Sequence, residues 1–439
     1  MRTRPLVGAA LLAVATVVHA GTLTLEEAEA KALSANPMTR AARLDALAAA
    51  QRVAEAKGRH FGTVDLFGGY VNFESPRLVR PMSIDLFTDP AAGFSQLPWD
   101  ANQVHYGIAF RIPLLAGGSL HEGDRIAGLA RSAAEATAGF SREEVRTRVR
   151  AAYRTALLAR HALEAAQAYR GALEKDESDA RLEVKVGALA PVAAAKLTFA
   201  LRGAEAHVAA LAAEKRTALA ALAAVLGETL PSDGYDLGDV PEEPPPAEPG
   251  GRTVADALAG RLDLVAARDA TGIAEHEKAL ARESFGPRLS LEGNWQRNDA
   301  PSLAHPLDTH EIAVMFNLPL FDGMTRVHTL EEAEIRLQAA RERERAKELE
   351  VSIQVVDAEG KVEAARAQLA AGEAQRALGA EVARVEHLKL EQGTGKMEDY
   401  LAARAQEMQG ETGYWQGLYA LQTAVDYLDF VSARGGHHD

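Results

Sequence analysis

The chain has 439 residues, a formal net charge of −14 and no cysteine. Acidity of this size argues against a nucleic-acid partner, which needs a positive face for the phosphates. The lack of cysteine excludes disulfides, thiol chemistry and an acylated N-terminal cysteine of the lipoprotein kind. Aromatic residues make up only 5%, which together with heavy alanine use favours long helices over bulky globular cores.

In chain order, Arg2 and Arg4 precede an apolar run from Leu6 to Val18 and the small-residue site Val18-His19-Ala20. This is the three-part pattern of a cleaved secretory signal peptide, residues 1–20. Its removal would bring the formal charge to about −16, since two arginines leave with it. Downstream there is no apolar run long enough for a transmembrane helix. Thr24-Leu25-Glu26-Glu27 reads as a capping box opening a helix that runs to about Lys57, interrupted at Asn36-Pro37. The period then changes. Val64, Leu66, Gly68 and Tyr70 mark a strand over about 61–74, although Phe67 spoils its alternation. Val104, Tyr106, Ile108, Phe110 and Ile112 alternate with polar or small residues and mark a cleaner strand over 103–112. A long loop over residues 75–102 joins the two. The second strand is expected to exit through Pro113, Gly117 and Gly118, where proline ends the ladder and glycine permits the bend.

From His121 to about Lys185 there is no proline, and a helix of that length would extend roughly 100 Å. It turns at Gly187, and a return helix runs to about Leu226. Residues 231–251 form an acidic, Pro/Gly-rich connector around Pro244-Pro245-Pro246. Then the order repeats: a helix from Thr253 to about Glu283, strands over about 286–296 and 309–319, an exit at Pro319 and Gly323, a proline-free helix from Met324 to about Gln392, a turn at Gly393 and a return helix to about Ser432. Residues 434–439 form a disordered tail.

The repetition is visible residue by residue. Val145, Val149, Ala152, Ala156, Ala159, Leu163 and Ala166 are answered 206 residues later by Val351, Val355, Ala358, Val362, Ala365, Leu369 and Gly372. The 4-3-4-3 spacing is a coiled-coil seam. The opening helices and first strands repeat at an offset of 225, the longer first loop making up the difference. The mature chain is therefore two copies of one unit, residues 21–230 and 252–433. Period-two segments of eight to ten residues suit a half-buried strand or a strand of a transmembrane barrel. The aromatic residues gathered around them favour the barrel, where girdles are needed at both interfaces.

Leu23 to Arg43, the two Pro-Leu-x-x-Gly strand exits and Gly393-Thr394 leading into Asp399-Tyr400-Leu401 together resemble the TolC family of outer-membrane efflux proteins. The resemblance covers essentially the whole mature chain, in family order. It implies a mainly α protein with a β-barrel part: a homotrimer with four strands per subunit in one 12-stranded outer-membrane barrel, and long coiled-coil helices forming a periplasmic tunnel. The implied function is the passive outer-membrane channel of a tripartite efflux or secretion system, working with a periplasmic adaptor and an inner-membrane pump. The hairpin loops would be extracellular, and the Gly187 and Gly393 turns would lie at the inner, periplasmic tip. The family's acidic luminal gate maps by motif position onto Asp399 and its neighbour Glu398. A second family aspartate is matched by Ala402, and the family's basic residue by Gly395, with Lys396 beside it. Independently of the family, four strands cannot close a barrel alone, and open edges are not tolerated in lipid.

Catalysis is not expected: no His-Glu-x-x-His, phosphate loop or nucleophile elbow occurs, and no cofactor is implied. His305, His310, His437 and His438 lack a metal-ligand spacing. Gly360, Gly372 and Gly379 are expected to permit close helix packing. The competing reading is a periplasmic coiled-coil adaptor or structural protein of an envelope-spanning complex, which accounts for the heptads but not for two matched hairpins.

Overall fold

A computed structural model describes residues 22–79, 98–187, 189–232, 234–243 and 253–433. The signal peptide, the proline triplet of the connector, the tail and most of the long first loop lie outside the described residues. The elements in order are α1 (Leu25–Ala35), α2 (Pro37–Gly58), a 3-10 turn (Arg59–Phe61), β1 (Thr63–Leu78), β2 (Trp99–Ala116), α3 (Ser119–Lys185) and α4 (Pro191–Leu226). The second copy follows as α5 (Val254–Gly260), α6 (Leu262–Glu283), β3 (Arg288–Asp299), β4 (Leu307–Asn317), α7 (Thr325–Glu391) and α8 (Met397–Val431). The helices α3 and α7 each have 67 residues, and both ends of α7 stand 206 residues after those of α3. Among the described residues no helix is long and apolar enough to cross a membrane.

The chain divides into two units. One takes Ala41–Ser141 and Ala257–Ile353 and contains a four-stranded antiparallel sheet in the order β1-β2-β3-β4. Its polarity is the reverse of a water-soluble sheet. Leu66 is 83% exposed, Ile312 73% and Phe316 65%, and Val64, Tyr70, Ile108, Trp295 and Val314 share their exposed face. The opposite face carries Asp65, His105, Arg111, Glu292, Asn294, Gln296 and Glu311, with Arg111 Nε 2.9 Å from Glu292 Oε1. An apolar face left outside is stable only against an apolar medium, because in water its exposure opposes folding.

Pro113 does not sit in the exit turn, as its sequence position suggested, but inside β2, beside a register shift between Pro113 and Leu115. The reason is local: the β1 ladder has ended at Arg111, so the missing N–H costs β2 nothing on that side. Gly117 and Gly118 make the turn, with φ of 60° and 84°. In the second copy β4 ends at Asn317, before Pro319, and Gly323 and Met324 both take positive φ. β1 runs on to Leu78 across a bulge between Asn72 and Arg77, and β2 starts early, at Trp99. The first turns of α3 are held by His276, whose Nδ1 lies 2.6 Å from Glu122 Oε2, and by His60, whose Nε2 lies 2.8 Å from Asp124 Oδ2.

The other unit takes the described residues to Arg40, Arg142–Asp256 and Gln354 onward. Here the repeated stripe is the core. Val145, Val149, Ala156, Ala159, Leu163 and Ala166 are buried on α3 and Ala152 half-buried, while the six positions of the second stripe from Val355 to Gly372 are all buried here, and Val351 is buried in the first unit. The α7–α8 crossing is close enough for backbones to meet. A Cβ on Gly372 would come 2.7 Å from Gly413 O, and one on Gly417 would come 2.7 Å from Leu369 Cα. Gly379 is a milder case at 3.3 Å from Gln406 O, but a Cβ on Gly360 would meet nothing within 4 Å in this chain, so no close approach there requires glycine. The capping box forms at Thr24 and Glu27, and the α1–α2 break is stitched by Asn36, whose Nδ2 donates to Val225 O at 2.7 Å. Tyr153 Oη lies 2.7 Å from both Leu23 O and Gly238 O, sharing its one proton between them, and so holds the chain start and the connector onto α3.

Candidate functional site

The sequence-selected gate residues lie where α7 turns into α8. Gly393 adopts φ 69°, and the N–H groups of Thr394 and Gly395 both donate to Lys389 O, at 3.0 and 2.9 Å. This is how a helix end satisfies its orphan carbonyls when a residue takes the left-handed conformation. Gly187 ends α3 in the same conformation, with φ 74°. Lys396 is the N-cap of α8 and offers no side-chain cap, so the acids that follow face the positive helix end.

Glu398 and Asp399 are both exposed in that first turn. They are not equivalent. Glu398 is ion-paired with Lys196 on α4, and this hydrogen bond holds its carboxyl below the usual range. Asp399 makes no ion pair among the described residues. Lys396 is exposed and adds to the field on Glu398. One turn thus carries a paired acid and an unpaired one.

The next residue carries the strongest tie. Tyr400 is 2% exposed, and its hydroxyl donates to Asp176 Oδ2 on α3 at 2.5 Å. Burial and the acceptor carboxylate push the phenol up from its ordinary value. The His387 ring on α7 lies 5.4 Å away. Around it Leu173 and Ala180 of α3 pack with Leu197 and Ala204 of α4, joined by Met397 and Leu401 of α8. Buried Glu177 accepts from Thr198 Oγ1 at 2.7 Å and pairs with Arg181.

The start of α8, in the second repeat, is therefore fastened to the first repeat twice: at the surface by Glu398–Lys196, and in the core by Tyr400–Asp176. Sequence reasoning placed Glu398, Asp399 and Lys396 on one turn but did not select Lys196, Asp176 or Tyr400 as their partners. The only signal pointed to a neighbour: the 4-3 stripe continued from Ala166 reaches Leu173, Glu177 and Ala180, so the carboxylate at a seam position is Glu177 and not Asp176. Lys196 had none. Among the described residues no group of three His, Asp or Glu side chains is arranged to hold a metal.

Residues 253–433 match the family model of outer membrane efflux proteins. No curated protein sequence matches the chain. Among solved structures, the Campylobacter jejuni CmeC outer membrane channel is similar at 16% identity and a TM-score of 0.77, over 94% of this chain and 87% of that one. The Vibrio cholerae outer membrane protein VceC is similar at 16% identity and 0.73, over 93% and 96%. The Neisseria gonorrhoeae MtrE outer membrane channel is similar at 20% identity and 0.72, over 94% and 89%. The chain thus matches the outer membrane efflux protein model at residues 253–433 and shares, over nearly all of its length, the fold of these outer-membrane channels.

Proposed function

We propose that this chain is the outer-membrane channel of a tripartite efflux or secretion system. Three copies close one barrel, and their helices form a periplasmic conduit gated at the end that carries Gly187 and Gly393. The observation that carries the reading is the inverted polarity of the sheet. Its apolar face is exposed and its charged face opposed, as a wall between lipid and a water-filled lumen requires. An adaptor built only of coiled coil has no use for such a sheet. On this reading the mature protein starts near Gly21, is not acylated, and meets a periplasmic adaptor and an inner-membrane pump at the Gly187 and Gly393 turns.

Gating follows from the two fasteners. Moving the start of α8 away from α3 and α4 breaks the Tyr400–Asp176 hydrogen bond and the Glu398–Lys196 pair. A hydrogen bond to a charged acceptor contributes about 1.5–3 kcal/mol, enough to shift an open–closed equilibrium roughly tenfold or more. The exposed pair contributes less, at most ~1 kcal/mol. Tyr400→Phe removes the stronger tie while keeping the ring, so in planar bilayers its open probability and mean conductance should rise well above wild type. Lys196→Met should give a smaller rise. A Tyr400→Phe channel as closed as wild type would refute the gate assignment. A purified, folded protein that never conducts in either form would refute the channel.

A further inference from the structure

The repeat reaches further than the chain itself. Applying the two offsets to the β1–β2 ladder reproduces the β3–β4 ladder: Val64↔Phe110 becomes Leu289↔Phe316, and Leu66↔Ile108 becomes Leu291↔Val314, both as observed. The two hairpins are therefore in identical register. One seam, β2–β3, joins hairpin to hairpin inside the chain, and β1 and β4 are left as open edges.

We propose that β4 of one copy pairs with β1 of the next in the register of β2–β3, making Val314 face the next copy's Tyr70, Phe316 its Gly68, and Leu318 its Leu66. This rests on the channel reading above and specifies its partner, a second copy of this chain, residue by residue. Inside the chain Ile108 faces Trp295, Phe110 faces Gly293, and Ile112 faces Leu291. Each becomes the proposed pair when the same offsets are applied, and the chemistry is preserved: aliphatic against aromatic, ring against glycine, aliphatic against leucine.

The ring-on-glycine pair is the most telling. A Cβ on Gly293 would stand 2.5 Å from Phe110 Cε1, so the ring lies over the bare backbone and covers it. Phe316 and Gly68 repeat both halves, yet neither has its mate within the chain. Phe316 is 65% exposed, and a Cβ on Gly68 would meet only Tyr106 and the His105 carbonyl, both on the β2 side. Closure between copies supplies the missing half. The match holds for the outward row. On the inward row Ala313 stands where Gly107 does, and since a Cβ at Gly107 would come 2.1 Å from Trp295 O, the backbone of the proposed seam must shift at Ala313.

The chain has no cysteine, so introduced thiols report without background. Val314→Cys combined with Tyr70→Cys, oxidised in outer membranes, should give covalent ladders ending in a crosslinked trimer on denaturing gels. Val314→Cys with Leu66→Cys or with Glu74→Cys, each displaced four residues, should give little, since two residues along a strand already separate partners by about 7 Å. More efficient crosslinking at Leu66, Gly68, Asn72 or Glu74 than at Tyr70 would overturn the register while leaving the channel reading intact. Conducting protein that crosslinks at none of them would overturn the β4–β1 seam itself. Phe316→Ala should lower the temperature at which the trimer dissociates, and Phe316→Trp should preserve it. Equal dissociation temperatures for both variants and the unmodified protein would remove the ring from the seam.

Discussion

At the scale of single residues, the charges of the α8 turn divide by partner. Glu398 spends most of its field on Lys196, whereas Asp399 keeps its own. On the proposed channel reading, three copies of Asp399 around one axis would attract cations, because like charges at a constriction focus the potential. Asp399→Asn should therefore reduce cation-over-anion selectivity in single-channel recordings more than Glu398→Gln does. The reverse order would show that Lys196 does not neutralise Glu398 in the assembled channel. A second residue-level consequence concerns pH. The His161 ring stacks on Trp415 at 3.9 Å between centroids, beside Arg160, Glu164 and Asp239. Burial first, and then the Arg160 charge, lower its pKa below the ordinary 6.5, against the pull of Glu164 and Asp239. The unfolded chain then binds the proton more readily than the folded one. The stabilisation is complete above the ordinary value and falls as pH drops through the folded one. His161→Gln should flatten the thermal stability between pH 7 and 5, as followed by the helical circular dichroism signal; an unchanged slope would exclude His161 as its source.

At the scale of elements, the repeated stripe decides helix packing, but its two copies do so differently. The α7 stripe ends at Gly372, where the backbone of α8 comes close enough that Gly372 and Gly417 leave no room for a Cβ. Gly417→Val should cost about 1–3 kcal/mol by overpacking, whereas Gly360→Ala, which meets nothing, should be neutral or slightly stabilising from helix propensity. Chemical denaturation of the detergent-solubilised protein separates the two. Equal losses would show that the close contact is not what requires glycine at 417. The elements themselves were largely legible: a proline-free run bounded by glycine reads as one helix because nothing in it breaks the hydrogen-bond ladder. Pro113 was misread for the opposite reason. Proline forbids a ladder bond only where a neighbouring strand exists to accept one, and sequence does not show that β1 has already ended.

At the scale of the whole molecule, two matched hairpins with open edges need further copies, since an unpaired strand edge in lipid leaves several backbone groups unsatisfied. The protein should fractionate with the outer membrane and run as a trimer in mild detergent, collapsing to monomer on boiling. A monodisperse, water-soluble monomer would contradict both the barrel and the adaptor-coupled channel. Length, acidity and the absence of cysteine had already removed nucleic-acid binding and thiol chemistry from consideration.

What the sequence determined by itself is what period and repetition carry: long helices, four strands, two copies of one unit and the glycines at the turns. Those are local properties, written in spacing, glycine and proline. The tertiary structure alone decided which side chains meet across the repeats. Tyr400 with Asp176 and Lys196 with Glu398 are 224 and 202 residues apart, and no local pattern encodes such a pairing. It depends on how α8 lies against α3 and α4, which is set by the packed stripes and not by either residue. The same is true of the sheet: its alternation was visible along the chain, but only the paired strands showed Phe110 over Gly293, and with it the mate that Phe316 lacks.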